Sequence, residues 1–531
     1  MGSAINGTSD TGNPQDDGIL DRTPASVQRT WLWQPNLIVF VSSACIMILE
    51  LVAGRIIAPY VGVSLYTWTS IIGVVLAGIS LGNYLGGRLA DRWASLRMLG
   101  VIFVLGGLAS FGALTVDTIG RLATFDWPIV LEILVLTTAL FFVPCLILGT
   151  ISPVVAKLAV HDLSQTGSTV GKIYAAGTAG SIVGTFATGF LLISWFGTHT
   201  IVWGVALVLL TLGFLLLLTG YRRFLLLVAL ILIGGTMFAM GRGWLTGPCT
   251  RETNYFCVRV REDERDGEPV RVLTLDRMVH SYNSLDDPTR LVYDYEKIYA
   301  EVAGLRSQEE RHLRALFVGG GGYTFPRYME AVYPESEIDV IEIDPGVTQV
   351  AYDMLGLNLD TRILTFNEDA RLFLEREPVA EYDLIFGDAF NDFSVPYHLT
   401  TREFNDRVRA WLADDGLYVV NMIDGPRREF LRAYAHTLRQ TFRHVRLIPT
   451  IEQWRQSPRV TFVLVASDTA LNQGALQAMR SDDGETLLER KMLSEDEADA
   501  LLEEGSVVTL TDRYAPVDQL LASVFREEAP R

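Results

Sequence analysis

The sequence predicts two architectures in one chain: an α-helical polytopic membrane domain of about seven spans, then a doubly wound α/β domain entered through a small β subdomain. Three observations predict this. Apolar runs close to the ~20 residues that a bilayer demands of a helix recur from Asn36 onward. Charge is unevenly placed: counting Lys and Arg against Asp and Glu, residues 31–243 carry +4 and residues 244–531 carry -20, within a total of -18. After Trp244, short apolar strands alternate with helices and charged loops, the pattern of a mostly parallel sheet. A chain of 531 residues with 49% hydrophobic residues and 4 cysteines is neither a small disulfide scaffold nor a disordered chain. The acidic second half argues against a nucleic-acid partner.

Residues 1–33, rich in Gly, Ser, Thr and Asp, are expected to be a disordered tail, with no cleavable signal before the first span. Residues 34–243 form the expected transmembrane domain, with spans near 36–58, 66–87, 98–116, 129–158, 171–195, 199–219 and 223–241, so the lipid bilayer is one partner. Arg88, Arg92 and Arg97 follow span two, Lys157 and Lys172 flank the loop after span four, and Arg222 and Arg223 follow span six. The alternate loops hold only Arg121, so the even-numbered loops are expected in the cytoplasm. Glu50 and Arg55 in span one are expected to face the bundle and each other, with Glu132 joining them, because a lone charge is costly in hydrocarbon. Gly177, Gly180, Gly184 and Gly189 suit close helix packing. Gly86-Gly-Arg-Leu-Ala-Asp-Arg92, with Gly149 to Pro153 and Gly177 to Gly189, resembles about half of a major-facilitator transporter.

Residues 244–300 are expected to form the β subdomain, with strands at 255–261 and 270–282 and Asp266-Gly267 as the turn between them. Residues 301–531 hold the βα units. Arg314 to Val318 is a strand, Gly319 to Gly322 a glycine loop, Phe325 to Val332 a helix and Ile338 to Ile343 a second strand; further strands fall at 383–387, 416–421, 444–448 and 460–466. Ligands of such sheets bind at the carboxyl ends of the strands. Gly319, Gly320 and Gly321 let a ligand approach the backbone. Glu342 lies roughly 20 residues beyond that loop, where such folds bind ribose hydroxyls. Asp369 suits an adenine amino group, and Asp388 suits a base or the holding of a cationic substrate. Taken in register, these residues describe a nucleoside pocket; taken singly, each also fits a turn, a helix cap or a solvated acid.

The segments Leu316-Phe-Val-Gly-Gly-Gly-Gly322, Val340-Ile-Glu-Ile-Asp-Pro345, Glu368-Asp-Ala-Arg371 and Tyr382-Asp-Leu-Ile-Phe-Gly-Asp388 resemble the spermidine synthases in order and spacing. Leu275-Asp-Arg-Met-Val-His280 and Tyr295-Glu-Lys-Ile-Tyr299 resemble that family's entrance region. Asp388-Ala-Phe-Asn-Asp392, Val395-Pro-Tyr-His-Leu399 and Leu510-Thr-Asp-Arg-Tyr-Ala-Pro-Val517 resemble the branch fused to a membrane module. The resemblance covers about 250 to 500 and implies a methyltransferase-like Rossmann domain. It implies aminopropyl transfer from decarboxylated S-adenosylmethionine to a polyamine-type amine acceptor, without a metal. By resemblance Glu342 holds ribose, Asp369 and Ala370 flank adenine, and Asp388 is the catalytic base. His280 and Tyr295 are expected to face substrate; Asp392 and His398, on the loop after the fourth strand, fit an acceptor site and a solvated loop equally well, and Tyr514 is a candidate to close over the pocket.

The chain also departs from that family. Gly322 stands where an acid anchors the donor's amine, Tyr323 and Thr324 replace two glycines, His280 replaces a glutamine and Glu296 a histidine. Methyl transfer from S-adenosylmethionine, or a polyamine or nucleoside transporter or sensor that binds without turnover, therefore stays open, as does a homo-oligomer. Seven spans with a cytoplasmic amino terminus describe a multi-pass protein of the cell inner membrane whose soluble domain lies outside the cytoplasm. Cys249 and Cys257, eight residues apart at the entrance, fit that compartment if they pair.

Overall fold

The computed structural model describes residues 34–116, 127–160, 162–218, 221–307, 312–389, 395–479, 486–505 and 507–522. The expected tail at 1–33, Arg121 and Asp392 lie outside these described residues. Among those described, seven helices are long and apolar enough to cross a membrane: α1 Pro35–Val61, α2 Leu65–Trp93, α3 Leu96–Thr115, α4 Ile129–Ala159, α5 Leu163–Trp195, α6 Thr198–Leu217 and α7 Arg223–Gly241. Their starts are set locally. Ser64 and Ser95 accept the N–H groups of Thr67 and Met98, and Pro35 occupies the first turn of α1, where its missing N–H leaves no bond unmade.

Small residues decide which helices touch. A Cβ at Gly180 or Gly184 would run into the backbone of Phe40 or Ala44, and one at Gly82 or Gly86 would run into Leu146 or Thr150. α5 therefore lies backbone to backbone on α1, and α2 on α4, as the glycine spacing predicts. Gly189 is different: a Cβ there would meet nothing within 4 Å.

Arg55 corrects one expectation. Its guanidinium leaves the bundle and donates to the carbonyls of Thr253 and Asn254, the latter at 2.7 Å, so Glu50 is not its partner. Glu252 in turn accepts from the N–H of Thr198 at the start of α6. The carboxyl end of α1, the amino end of α6 and the exit of α7 thus share the face on which the soluble half sits.

The entrance subdomain is an antiparallel sheet in the order β1-β2-β3-β4, with β1 Arg251–Glu252, β2 Cys257–Arg265, β3 Glu268–Leu275 and β4 Met278–Asn283. Asp266 and Gly267, both at positive φ, make the expected turn. The expected single strand at 270–282 is two, because Asp276 at φ 50° turns the chain back between Leu275 and Met278. Helix α8 Asp294–Ser307 then carries the chain into the second sheet.

That sheet runs β10-β11-β9-β8-β5-β6-β7. Its strands are β5 Arg314–Val318, β6 Glu337–Ile341, β7 Leu364–Phe366, β8 Tyr382–Gly387, β9 Leu412–Asp424, β10 His444–Pro449 and β11 Val460–Ser467, with β11 antiparallel to both neighbours and the other pairs parallel. This is the doubly wound sheet that the alternation of strands and helices predicts, with one antiparallel strand. Its core is aromatic: Phe317 stacks on Phe386 at 4.7 Å, and Tyr299 of α8 lies 4.9 Å from Phe386. Register places the site, since Val318 pairs with both Ile341 and Gly387, and Gly387 with Val420. The residues that follow β5, β6 and β8 therefore emerge side by side, next to Asn421 of β9.

Candidate active site

A cleft of about 120 Å³ opens at those strand ends. Its floor is the glycine loop between β5 and helix α9 Thr324–Val332. Gly319 and Gly321 sit at φ 103° and 49°, a region that costs other residues strain. A Cβ at Gly321 would meet nothing within 4 Å, so backbone and ligand can approach each other closely there. Gly320 does something else: it lies outside the lining, packed beneath the Tyr323 ring.

Glu342 follows β6 and is buried. Its Oε2 accepts from the N–H groups of Gly320 at 2.9 Å and Gly321 at 3.2 Å, and its Oε1 accepts from Asp344 N–H at 2.9 Å. Burial pushes its carboxyl above the usual range, and the three amides pull it back. Asp369 caps helix α11 Ala370–Leu374, its Oδ1 accepting from Arg371 N–H at 2.8 Å, while its Oδ2 pairs with His398 Nε2 at 3.1 Å. Ala370, the first residue of that helix, lines the same wall.

Asp388 follows β8 at the other end of the cleft. Asn421 Nδ2 donates to its Oδ1 at 2.8 Å, and the Tyr295 phenol also bonds it. Burial raises this carboxyl to about 6, against the two hydrogen bonds. Glu296, buried beside Tyr295 on α8, is raised to about 8, first by burial and then by the charge of Asp388. His280 of β4 lines the cleft; burial lowers it to about 4 and keeps it neutral, and its buried Nε2 has no hydrogen-bond partner.

The cleft thus gathers Gly319, Gly321, Glu342, Asp369, Ala370, Asp388, His280 and His398, with Tyr295 bonded to Asp388 from behind. Tyr514 is not among them. Its ring is 61% exposed on a turn closed by mutual bonds with Thr511, rather than folded over the pocket. Glu296 is the residue that sequence reasoning passed over as a chemical group. The signal for it was an acid on the inward face of a helix among Ile298, Tyr299 and Val302.

Gly322 has a physical explanation. A Cβ there would run into Ser281 Oγ and lie 2.7 Å from Asn283 Oδ1. Asn283 also donates to the Gly322 carbonyl at 2.6 Å. Strand β4 fills the place that an acid at this position would need. Among the described residues, no group of three or more His, Cys, Asp or Glu is placed to hold a metal ion.

No protein-family profile matches the chain. It is 39% identical over 112 residues to a polyamine aminopropyltransferase of Vibrio vulnificus, covering 20% of this chain and 37% of that protein. It is 26% identical over 427 residues to one from Corynebacterium efficiens, covering 75% of this chain and 78% of that protein. It is also 26% identical over 479 residues to polyamine aminopropyltransferase 2 of Streptomyces coelicolor, covering 83% and 80%. The chain thus spans well under two thirds of the Vibrio protein. The two longer matches exceed the 288 residues from 244 to 531, so they extend into the helical half.

Proposed function

Because its curated relatives indicate the spermidine synthase, or polyamine aminopropyltransferase, family, we propose that the soluble half is a spermidine-synthase-like transferase. In this reading it moves an aminopropyl group from decarboxylated S-adenosylmethionine to a small amine, and the seven helices hold it in the membrane. The observation that carries the reading is the placement of Asp388 at the end of β8, in one cleft with Glu342 and Asp369 and held by Asn421 Nδ2 at 2.8 Å. Burial raises its carboxyl to about 6 and that of the neighbouring Glu296 further, so Asp388 is the first of the two to ionise and the one assigned as base.

The donor would supply a carbon made electrophilic by its sulfonium. Glu342 and Asp369 would hold the nucleoside end, with the open face of Gly321 admitting it close to the backbone. Asp388 would take the proton from the acceptor nitrogen as the new N–C bond forms and the C–S bond breaks, the sulfur departing as a neutral thioether. The Asn421 and Tyr295 bonds fix the carboxylate for that step.

One observation favours a second reading, methyl transfer from S-adenosylmethionine. With Ser281 and Asn283 in the way, position 322 offers no carboxylate to an aminopropyl ammonium. Full-length protein in detergent, given either donor and a set of diamines, separates the two. Release of 5′-methylthioadenosine from the decarboxylated donor, dependent on amine, is expected; S-adenosylhomocysteine from S-adenosylmethionine would establish the second reading instead. Neither product from either donor would overturn both.

We also propose that the soluble half faces away from the cytoplasm, in the cell inner membrane. Two features support this: the Cys249–Cys257 disulfide, since such bonds persist in oxidising compartments, and Arg88, Arg92, Lys157 and Arg223 at the opposite end of the bundle. Labelling of Cys249 by an impermeant thiol reagent, on intact cells after reduction, is the expected result. Labelling only after permeabilisation would place the domain inside.

A further inference from the structure

The loop from Cys249 to Cys257 is attached in three places. Glu252 accepts from the N–H and hydroxyl of Thr198 at the start of α6, at 2.8 and 3.1 Å. Thr253 and Asn254 receive the guanidinium of Arg55 from α1. The Thr253 hydroxyl donates to Asp344 Oδ2 at 2.5 Å, and Phe256 lines the cleft. The Cys249–Cys257 disulfide closes this loop on itself.

Asp344 passes the contact on. Its Oδ1 accepts from Gly346 N–H and so caps helix α10 Pro345–Met354, while its own N–H donates to Glu342 Oε1. Glu342 Oε2 holds the amides of Gly320 and Gly321. An unbroken series of hydrogen bonds therefore joins a charged side chain of a membrane helix to the glycine loop of the cleft. The fit is close, because a Cβ at Gly346 would collide with Thr253 Cγ2.

We propose that this disulfide-closed loop is a positioning strap. Arg55, Thr253 and Asp344 set the carboxylate of Glu342, so that a shift of α1 against α6 is felt at the glycine loop and alters how tightly the cleft holds a nucleoside. Arg55 and Thr253 act through Glu342 and touch no ligand. Only the nucleoside-affinity part of this inference rests on the transferase reading.

Hydrogen–deuterium exchange on the full-length protein in detergent tests it without a ligand. Arg55→Ala and Thr253→Val are expected to speed exchange of the peptide carrying Gly319 to Tyr323 by about tenfold. Thr253→Ser, which keeps the hydroxyl, is expected to restore the wild-type rate, and Lys157→Ala, at the far end of the bundle, to leave it unchanged. The isosteric Thr253→Val keeps the test decisive if Arg55→Ala fails to fold. Wild-type exchange at 319–323 in both variants, with faster exchange confined to 250–257, would reduce the loop to an anchor and overturn the proposal. In parallel, the Kd for 5′-methylthioadenosine is expected to rise about tenfold in the same two variants. Absence of binding even to the wild type would count against the transferase reading alone, and the exchange result would still decide the strap.

Discussion

The two ends of the cleft hold their acids differently. Glu342 is fastened by three backbone amides, two of them from the glycine loop whose shape depends on positive φ at Gly319 and Gly321. Asp388 is fastened by two side chains, Asn421 and Tyr295, and shares its surroundings with a second buried carboxyl, Glu296. Backbone amides cannot rotate away, so the first arrangement fixes a shape and suits recognition. The second leaves a carboxyl raised to about 6, which suits proton transfer. The difference teaches that position at a strand end, common to both acids, does not set their chemistry; what bonds them does.

The largest expected effect tests the reactive end. Asp388→Asn keeps the shape and removes the proposed base, and is expected to lower kcat by about 10²- to 10⁴-fold while the Kd for 5′-methylthioadenosine stays within about threefold. Equal losses in both would erase the distinction between the ends. Glu342→Gln is expected to do the reverse. It places an amide donor against the N–H groups it must face, and nucleoside affinity is expected to fall by about 10- to 100-fold, from the roughly 1–3 kcal/mol of an unmade buried hydrogen bond. Calorimetric titration of both variants makes the comparison directly.

A smaller effect is read in pH. Asp388 and Glu296 are raised above their ordinary values of 3.8 and 4.5 to about 6 and about 8, so the fold favours their protonated forms. The stability they contribute is fully present below about pH 4 and is lost as pH rises through 6 and then 8. On the proposed reading turnover needs the ionised Asp388 and is expected to rise through pH 6, so activity and melting temperature are expected to run in opposite directions between pH 5 and 8. Glu296→Gln is expected to melt a few degrees above the wild type at pH 8 and to match it near pH 4, at about 2–4 °C per kcal/mol. An equal offset at both pH values would mean that Glu296 is not the group that titrates.

How much of this was legible in the sequence depended on distance along the chain. Glu342, Asp369 and Asp388 stand out in the sequence because a strand-end acid is a local pattern, and the register of β5, β6, β7 and β8 places all three on one cleft. The partners that tune them lie far away: Asn421 is 33 residues from Asp388, and Arg55 is 198 residues from the Thr253 carbonyl. Nothing in a local window predicts such pairs. The same holds for Gly322, whose sequence context shows only a missing acid, whereas Ser281 and Asn283 on another strand explain why one does not fit. The turn at Asp276 was missed for a different reason. Asp276-Arg277 lacks the glycine that marks Asp266-Gly267, yet Asp276 adopts the same positive φ, as aspartate tolerates better than most residues.

The smallest expected effect concerns the turn that carries Tyr514. Its backbone is closed by reciprocal N–H bonds between Thr511 and Tyr514 at 3.0 and 2.9 Å. It is fastened by Asp512, which takes the Thr401 hydroxyl at 2.7 Å and pairs with the Arg371 guanidinium at 2.6 Å. Arg371 also donates to the carbonyl of His398, whose ring meets Asp369, so Asp512 reaches the recognition end of the cleft through two intermediaries while the Tyr514 ring points to solvent. Asp512→Ala is therefore expected to raise the Kd for 5′-methylthioadenosine by about two- to fivefold, from the roughly 0.5–1 kcal/mol of a partly exposed ion pair. Tyr514→Ala is expected to change stability by less than about 0.5 kcal/mol and to leave both Kd and kcat at wild-type values. If Tyr514→Ala raised KM while Asp512→Ala did not, the ring would have to close over a bound substrate, and the turn would belong to the reactive end rather than to the recognition end.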